Sequence, residues 1–229
     1  MATERILKII LSVLAAPLIL MSLLLSRFGS TSLRSDLEDC LELATRLGES
    51  VPDAFVDAVF LAEDHRNKLH PGIDVIAIAR AVWVRIRLGK VQGASTIEQQ
   101  FVRAVTDRHE RTIRRKVREQ MLALMLVRRT SKRRIASAYL AIAFYGSGAV
   151  GLDGLRHKFG KNLGKVPFPQ ALGFVAQLKY PCPRRPSKEW SAKLAARINA
   201  LHGLGAGTAN KSLQISPADT SQVTHPPSV

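Results

Sequence analysis

The chain has 229 residues, of which 46% are hydrophobic, and its 34 Lys and Arg outnumber 18 Asp and Glu to give a formal charge of +16. This length suits one sizeable domain with short appendages and argues against two enzyme domains. The charge favours a polyanionic partner, whether nucleic acid, anionic lipid headgroups or a phosphorylated substrate.

The first predicted element is an apolar helix near the N-terminus. Residues 9–25 contain no charge, and residues 6–26 supply the roughly 20 apolar positions that a membrane-spanning helix needs if Lys8 reaches the interface. A cleaved signal peptide is the alternative, but no small-x-small cleavage site follows the run. We therefore predict an uncleaved, single-pass anchor over residues 1–29, with its N-terminal end in the cytoplasm.

The rest of the sequence divides into three parts. Residues 30–51 are predicted to be a polar, partly helical connector. Apolar residues from 52 to 203 recur at helical spacing and strand-like alternation is scarce, so we predict one all-α domain. Residues 204–229 are rich in Gly, Ala, Ser, Thr and Pro, which predicts a disordered tail.

Charge and cysteine content narrow the kind of site to expect. Residues 103–134 contain twelve Lys or Arg and three acidic residues, which makes a local anion site plausible. Cys40 and Cys182 form no CxxC pair and have no His at a metal-ligand spacing, which argues against a zinc site. Two free or buried thiols are the favoured interpretation, and a single disulfide is the alternative.

An acidic pair, Glu63 and Asp64, follows the apolar stretch 58–62. At the edge of a cleft, partial desolvation raises the pKa of a carboxylate and makes it a better general base. The same pair could instead end a helix in solvent.

Residues 92–100 read QGASTIEQQ. The small residues allow a tight turn close to a ligand, and Ser95 or Thr96 can cap the helix that follows. Gln99 and Gln100 offer amide groups suited to sugar hydroxyls or phosphate oxygens. A plain helix start, with Ser95 and Glu98 as a capping box, is the alternative, and both interpretations can hold together.

A basic segment follows at 111–119. On a helix Arg111, Arg115 and Arg118 share one face, and Glu119 can pair with Arg115 one turn away. Clustered arginines suit a diphosphate, whereas a solvated basic face is the alternative. Four apolar residues are expected to form the opposite, core-facing stripe: Ile113, Val117, Met121 and Leu124.

Together these segments resemble glycosyltransferase family 51, the peptidoglycan glycosyltransferases. The first family motif, E-D-x-x-F-x-x-H-x-G, is matched at Glu63, Asp64, His70 and Gly72. The second, G-G-S-T-I-x-Q-Q, is matched over 93–100 except that Ala94 replaces a glycine. The third, R-K-x-x-E, is matched at Arg115, Lys116 and Glu119. The fourth, K-x-x-I-L-E-x-Y-L-N, is matched in part, at Lys132, Ile135, Tyr139 and Leu140.

The resemblance implies a lysozyme-like, all-α domain beside the membrane. It implies lipid II, a disaccharide-peptide on undecaprenyl diphosphate, as the substrate. Glu63 would deprotonate the acceptor 4-hydroxyl, the anomeric carbon would invert and the lipid diphosphate would leave. Glu119 is the second residue assigned to catalysis. The residues assigned to substrate binding are Asp64, Ser95, Thr96, Gln99, Gln100, Arg103, Arg111, Arg115, Lys116 and Arg118. No cofactor or protein metal site is expected, although Mg²⁺ or Mn²⁺ could assist at the diphosphate.

The sequence also departs from the family pattern. Asn67 stands at a usual aromatic residue, Ser137 and Gln170 at glutamates, Ala141 at an asparagine and Arg103 at a lysine. Because Glu63 and Glu119 are kept, we favour a working, divergent enzyme over an inactive relative. No S-x-x-K tetrad is present and the length leaves no room for a penicillin-binding domain, so we expect a monofunctional enzyme.

The expected location is the cytoplasmic membrane of a bacterium, with the domain on the extracytoplasmic side. Expected partners are lipid II, the growing glycan strand, the membrane, and penicillin-binding or other cell-wall synthesis proteins. The main alternative is a non-catalytic membrane protein that binds lipid II or a synthesis partner. Nucleic acid is not expected, because the sequence lacks aromatic stacking motifs and a recognisable reading helix.

Overall fold

The computed structural model describes residues 2–28, 30–108, 110 and 112–213. The regular secondary structure of this part is helical apart from one short antiparallel hairpin, which confirms the all-α class. The helices are α1 (Ala2–Phe28), α2 (Thr31–Leu47), α3 (Asp53–Glu63), α4 (Val75–Leu88), α5 (Ile97–Thr106), α6 (Ile113–Leu126), α7 (Lys132–Ile142), α8 (Gly151–Phe159), α9 (Phe168–Val175) and α10 (Lys188–Leu213), and the strands are β1 (Phe144–Gly146) and β2 (Ala149–Val150).

Helix α1 contains the predicted membrane segment. Its residues Glu4–Arg27 are long and apolar enough to cross a membrane. The second half of the helix packs through Leu18, Ile19 and Leu25 against a small buried cluster that includes Met121 of α6. Many large apolar side chains of α1 are exposed, among them Ile6, Ile9, Ile10, Val13, Leu14, Leu23 and Leu24. Length and composition therefore fit a membrane span, while retention of the helix and its orientation stay predictions.

The segment expected to be a connector is instead a core helix. Helix α2 buries Leu33, Leu37, Cys40 and Ala44, which recur at helical spacing and pack against α5, α6 and α7. Glu38, Asp39 and Glu42 lie on the exposed face of this amphipathic helix, whereas Asp36 is half-buried.

Polar side chains fix where the helices that build the site begin. Asp74 caps α4 by accepting from the backbone N–H of Ala77 at 2.9 Å. Thr96 caps α5, Thr112 caps α6 and Ser131 caps α7 in the same way. Each cap satisfies an N–H that the helix itself leaves unpaired. The proposed Ser95–Glu98 capping box is therefore wrong, because the cap lies one residue later and Glu98 points elsewhere.

Only part of the predicted α6 stripe faces the core. Met121 and Leu124 are buried, but Ile113 is 84% exposed and Val117 is 37% exposed. The helix begins at Ile113, so its first turns extend beyond the elements that cover its second half. At the other end of the chain, α10 runs to Leu213, past the predicted start of the tail at 204, and residues 214–229 lie outside the described part.

The core lies between α3, α5, α7 and α9, with α2 and α6 packed around it. Phe159 packs edge-on against both Phe55 and Phe174, at ring-centroid distances of 5.6 and 5.4 Å. Phe174 in turn meets the buried Tyr145 ring at 4.6 Å. Such contacts fix α3 and α9 against each other, and α3 ends at the first residue of the site, Glu63.

Candidate active site

Glu63 is the last residue of α3, and its carboxylate is held by two elements distant in sequence. Arg197 of α10 lies 2.6 Å from Oε1, and the side-chain amide of Gln100 donates to Oε2 at 3.4 Å. The Tyr139 hydroxyl donates to Gln100 Oε1 at 2.8 Å and so orients that amide. Glu63 keeps 16% of its side chain exposed, so the carboxylate is positioned yet reachable.

Arg197 is a site residue that the sequence motifs did not identify. Its guanidinium also donates to the main-chain oxygen of Ala62 at 3.0 Å, which satisfies a carbonyl near the C-terminus of α3. Arg197 lies three residues after Leu194 and four before Leu201, both of which pack on the core. Arg197 therefore lies within an apolar stripe of the helix, and this position was the one sequence feature indicating that the cation has a buried partner.

A second cluster surrounds Glu119, whose carboxylate is 2% exposed. Oε1 accepts from Arg103 Nε at 2.9 Å and from Arg115 one helical turn away, and Oε2 lies 3.4 Å from Lys116 Nζ. The predicted Arg115–Glu119 pair is therefore present. We call the three cations around this carboxylate the basic cluster: Arg103, Arg115 and Lys116. Together with Glu119 they leave a net positive charge.

Lys116 connects the basic cluster to α5. Its ammonium donates to Gln99 Oε1 at 2.6 Å and to Ser95 Oγ at 3.0 Å. Burial, and the nearby charge of Arg103, lower the pKa of Lys116 even though Glu119 acts in the opposite direction. Gln99 contacts Lys116, and the next residue, Gln100, contacts Glu63. These two residues of α5 therefore join the Glu63 carboxylate and the basic cluster in one site.

Asp64 differs from Glu63 in its surroundings. It is 6% exposed and accepts from His70 Nε2 at 3.0 Å, from Asn67 and from the N–H of Ile97. Burial alone would raise the pKa of Asp64, but the bond from His70 and the charge of Lys132 lower it below its ordinary value. All these contacts are internal, which favours a role in positioning the loop over direct contact with substrate.

Thr96 is engaged in the same internal way. It is 1% exposed, caps α5 and donates its hydroxyl to the main-chain oxygen of Gly72 at 2.8 Å. The hydroxyl therefore joins the loop after Asp64 to the start of α5, and its assignment to substrate binding stays a prediction.

One of the predicted basic residues does not join the basic cluster in the structure. Arg118 turns toward α2, where it pairs with Asp36 at 2.7 Å and donates to Ser32 Oγ at 2.9 Å. Helical spacing does place Arg118 beside Arg115, but Asp36 lies on α2, in the segment predicted to be a connector, and forms the ion pair with Arg118. Arg111 lies outside the described residues.

The departures from the family pattern fall into different environments. Ser137 is buried and binds the backbone around the end of α2, accepting from Val51 N–H and donating to Leu47 O at 3.1 Å each. Gln170 is exposed on α9, and Ala94 is half-buried in the loop before α5. Asn67 is buried and donates to Asp64 and to Glu98. Nothing in the structure explains Ala141.

Within the described residues, Asp64, His70 and Glu98 bring possible metal-ligating atoms within 4.8 Å of one another. Lys132 lies among them, with Nζ 3.1 Å from Glu98 Oε1 and 3.3 Å from His70 Nδ1. An ammonium thus already provides the positive charge that a metal ion would bring to these three side chains.

The chain is similar in sequence to several penicillin-binding proteins. The chain is 35% identical over 140 residues to penicillin-binding protein 1A of Aquifex aeolicus, covering 60% of the chain and 19% of that protein. It is 36% identical over 139 residues to penicillin-binding protein 1B of Vibrio cholerae, covering 58% and 18%. The chain thus spans about a fifth of the length of these relatives. The family model described as Transglycosylase matches residues 42–203, more than half of the chain. The chain therefore belongs to the transglycosylase family, as its four motifs predicted.

Proposed function

We propose that the protein is a peptidoglycan glycosyltransferase that polymerises lipid II into glycan strands. The observation that supports this most is the arrangement around α5. Gln100 holds the carboxylate of Glu63, and the neighbouring Gln99 holds the ammonium of Lys116. A proton acceptor and a cationic cluster at one site are the two groups that transfer of a sugar from a lipid diphosphate requires.

In the proposed reaction Glu63 takes the proton of the acceptor 4-hydroxyl. The oxygen then attacks the anomeric carbon of the growing strand from the face opposite the diphosphate, so the configuration inverts. The bond to the diphosphate breaks, and undecaprenyl diphosphate leaves with the electron pair. Arg103, Arg115 and Lys116 would face the negative charge that develops there, and fixed cations in a partly buried site stabilise such charge more than water does.

Ser95, Gln99 and Glu119 have a place in this scheme because they position the basic cluster. Ser95 and Gln99 hold Lys116 on the α5 side of the basic cluster, and Glu119 holds all three of its cations in position. Lipid II would displace part of this internal network as it binds. Mg²⁺ or Mn²⁺ bound with the diphosphate would share the work of neutralising charge.

We further propose that the protein sits on the extracytoplasmic side of a bacterial membrane. Helix α4 lies next to α1 and exposes Val82, Trp83, Ile86 and Leu88, together with the basic residues Arg85 and Arg87. Apolar side chains flanked by arginines suit the boundary between acyl chains and headgroups. A reporter that is active only outside the cytoplasm should be active when it is fused after Val229. N-terminal sequencing of the membrane-bound protein should recover residues before 30, which shows that the first helix is kept.

Polymerisation of labelled lipid II by the full-length protein in detergent, with and without Mg²⁺ or Mn²⁺, tests the activity. Glycan strands longer than the starting disaccharide should appear on a gel and be digested by a muramidase. Binding of lipid II without any strand under all these conditions would support a non-catalytic binding protein instead.

A further inference from the structure

The motif segments form a charged network at the loop that follows Glu63, and the reaction above does not use this network. It joins Glu98 of α5, Lys132 of α7 and the loop 64–72. Lys132 Nζ pairs with Glu98 Oε1 at 3.1 Å and donates to the main-chain oxygen of Asn67 at 2.7 Å. The Asn67 amide donates to the same Glu98 oxygen at 3.2 Å. Three elements distant in sequence therefore meet at one ion pair.

The position of Lys132 needs a counter-charge. Lys132 is the first residue of α7, where the helix dipole disfavours a cation, and its side chain is only 22% exposed. Glu98 is 1% exposed and lies in the first turn of α5, where the dipole favours an anion. Each charge is costly to bury without the other. The second oxygen of Glu98, Oε2, has no hydrogen-bond partner in the structure, so the ion pair is the main contact that holds this carboxylate.

The network reaches Asp64 through His70. His70 Nδ1 accepts from the N–H of Gly72 at 3.2 Å and faces Lys132 at 3.3 Å. Nδ1 is thereby assigned as the unprotonated nitrogen, which leaves Nε2–H to donate to Asp64 at 3.0 Å. Asp64 in turn accepts from the N–H of Ile97, the first residue of α5.

We propose that Glu98 is a positioning residue for the transfer reaction. It holds the Lys132 ammonium against Asn67 O and His70, and so fixes the loop that follows Glu63 and the start of α5. This inference rests on the proposed function. Glu63 directly precedes the loop, and Gln99 and Gln100 directly follow Glu98, so a loose loop would misplace both the base and the residue that orients it. A displacement of about 1 Å can cost about a hundredfold in rate.

Three variants separate positioning from plain stabilisation: Glu98→Gln, Lys132→Met and the double variant. Glu98→Gln should lower the thermal midpoint, because Lys132 loses its counter-charge, and should lower kcat by about tenfold or more with KM changed by less than about threefold. The double variant contains neither charge, so its thermal midpoint should recover toward the wild-type value. Its kcat should stay low, because the tether from Lys132 to Asn67 O is still missing.

The surface pair Glu189–Lys193 provides a matched control. Its side chains are 77% and 58% exposed, so Glu189→Gln should change neither the midpoint nor kcat. Recovery of both quantities in the double variant would mean that the ion pair only stabilises the fold, and wild-type kcat in Glu98→Gln would overturn the proposal outright. If Glu98→Gln alone does not fold, the double variant still distinguishes these results.

Hydrogen exchange gives a readout that does not depend on lipid II. The amides of Asn67 and Leu69 are bonded within the loop, to Asp64 O and Arg66 O at 2.8 Å each. They should exchange at least about tenfold faster in Glu98→Gln and in the double variant than in the wild type. Unchanged exchange would refute the positioning role. If the wild type is inactive but the variants exchange faster, the proposed function is refuted, whereas the conclusion that the Glu98–Lys132 pair fixes the loop still holds.

Discussion

Replacing Arg197 by Met tests whether the contact from α10 matters for Glu63. Met keeps an apolar stem of similar course but removes the donors to Glu63 Oε1 at 2.6 Å and to Ala62 O at 3.0 Å. Both side chains of the ion pair are mostly buried, at 13% and 16% exposed, so solvent screens the interaction only partly. A hydrogen bond to a charged group contributes about 1.5–3 kcal/mol, which corresponds to about a ten- to hundredfold loss if it is needed at the transition state.

The assay is the initial rate of lipid II polymerisation over a range of substrate concentrations, with circular dichroism to check the fold. Arg197→Lys should fall between the wild type and Arg197→Met, because an ammonium keeps the charge but not the planar fork. Arg185 lies in an exposed loop, so Arg185→Met is the matched control and should behave as the wild type. A folded Arg197→Met protein with wild-type turnover would show that Glu63 does not depend on this contact.

Three further predictions follow from the same contacts. Glu119→Gln should lower both turnover and the thermal midpoint, because three cations lose the carboxylate between them; normal turnover would remove the basic cluster from the mechanism. Arg118→Ala should leave lipid II turnover within about twofold of the wild type and lower stability by about 1 kcal/mol, because Arg118 binds Asp36 and does not belong to the basic cluster. A large loss of turnover would instead support the assignment of Arg118 to substrate binding. Burial, together with the charges of Asp36 and Asp39, raises the pKa of Cys40 from 9.0 to about 12. The thiol of Cys40 ionises at lower pH in the unfolded protein than in the folded one, so stability should fall as the pH rises from 9 toward 12. A thiol reagent should also label Cys182 well before Cys40 in the folded protein. Equal labelling rates would contradict the buried position of Cys40.

The sequence was sufficient for the parts of the site that lie within one motif. The cap at Thr96 is one example, because the capping hydroxyl and the N–H of Gln99 that it satisfies lie within one short segment. The Arg115–Glu119 pair was equally accessible, since it needs only the spacing of one helical turn.

Contacts between motifs could not be obtained in this way. Helical spacing gives the face on which Arg118 lies, but not that α2 covers this face with Asp36. The same limit applies to Arg197, which belongs to no motif, and to Glu98, which looked like a capping residue and instead pairs with Lys132. In each case the partner is distant in sequence, and only the packing of the helices decides which charges meet.

Lipid II turnover by the wild type and by Glu63→Gln tests the central claim most directly. Gln keeps the size of the side chain and can still bond to its neighbours, but it cannot accept a proton. The wild type should polymerise lipid II, and the folded variant should lose at least about a hundredfold in rate, the lower end of a general base's contribution. Near-normal turnover by folded Glu63→Gln would contradict the assignment of the base, and an inactive wild type would contradict the proposed activity itself.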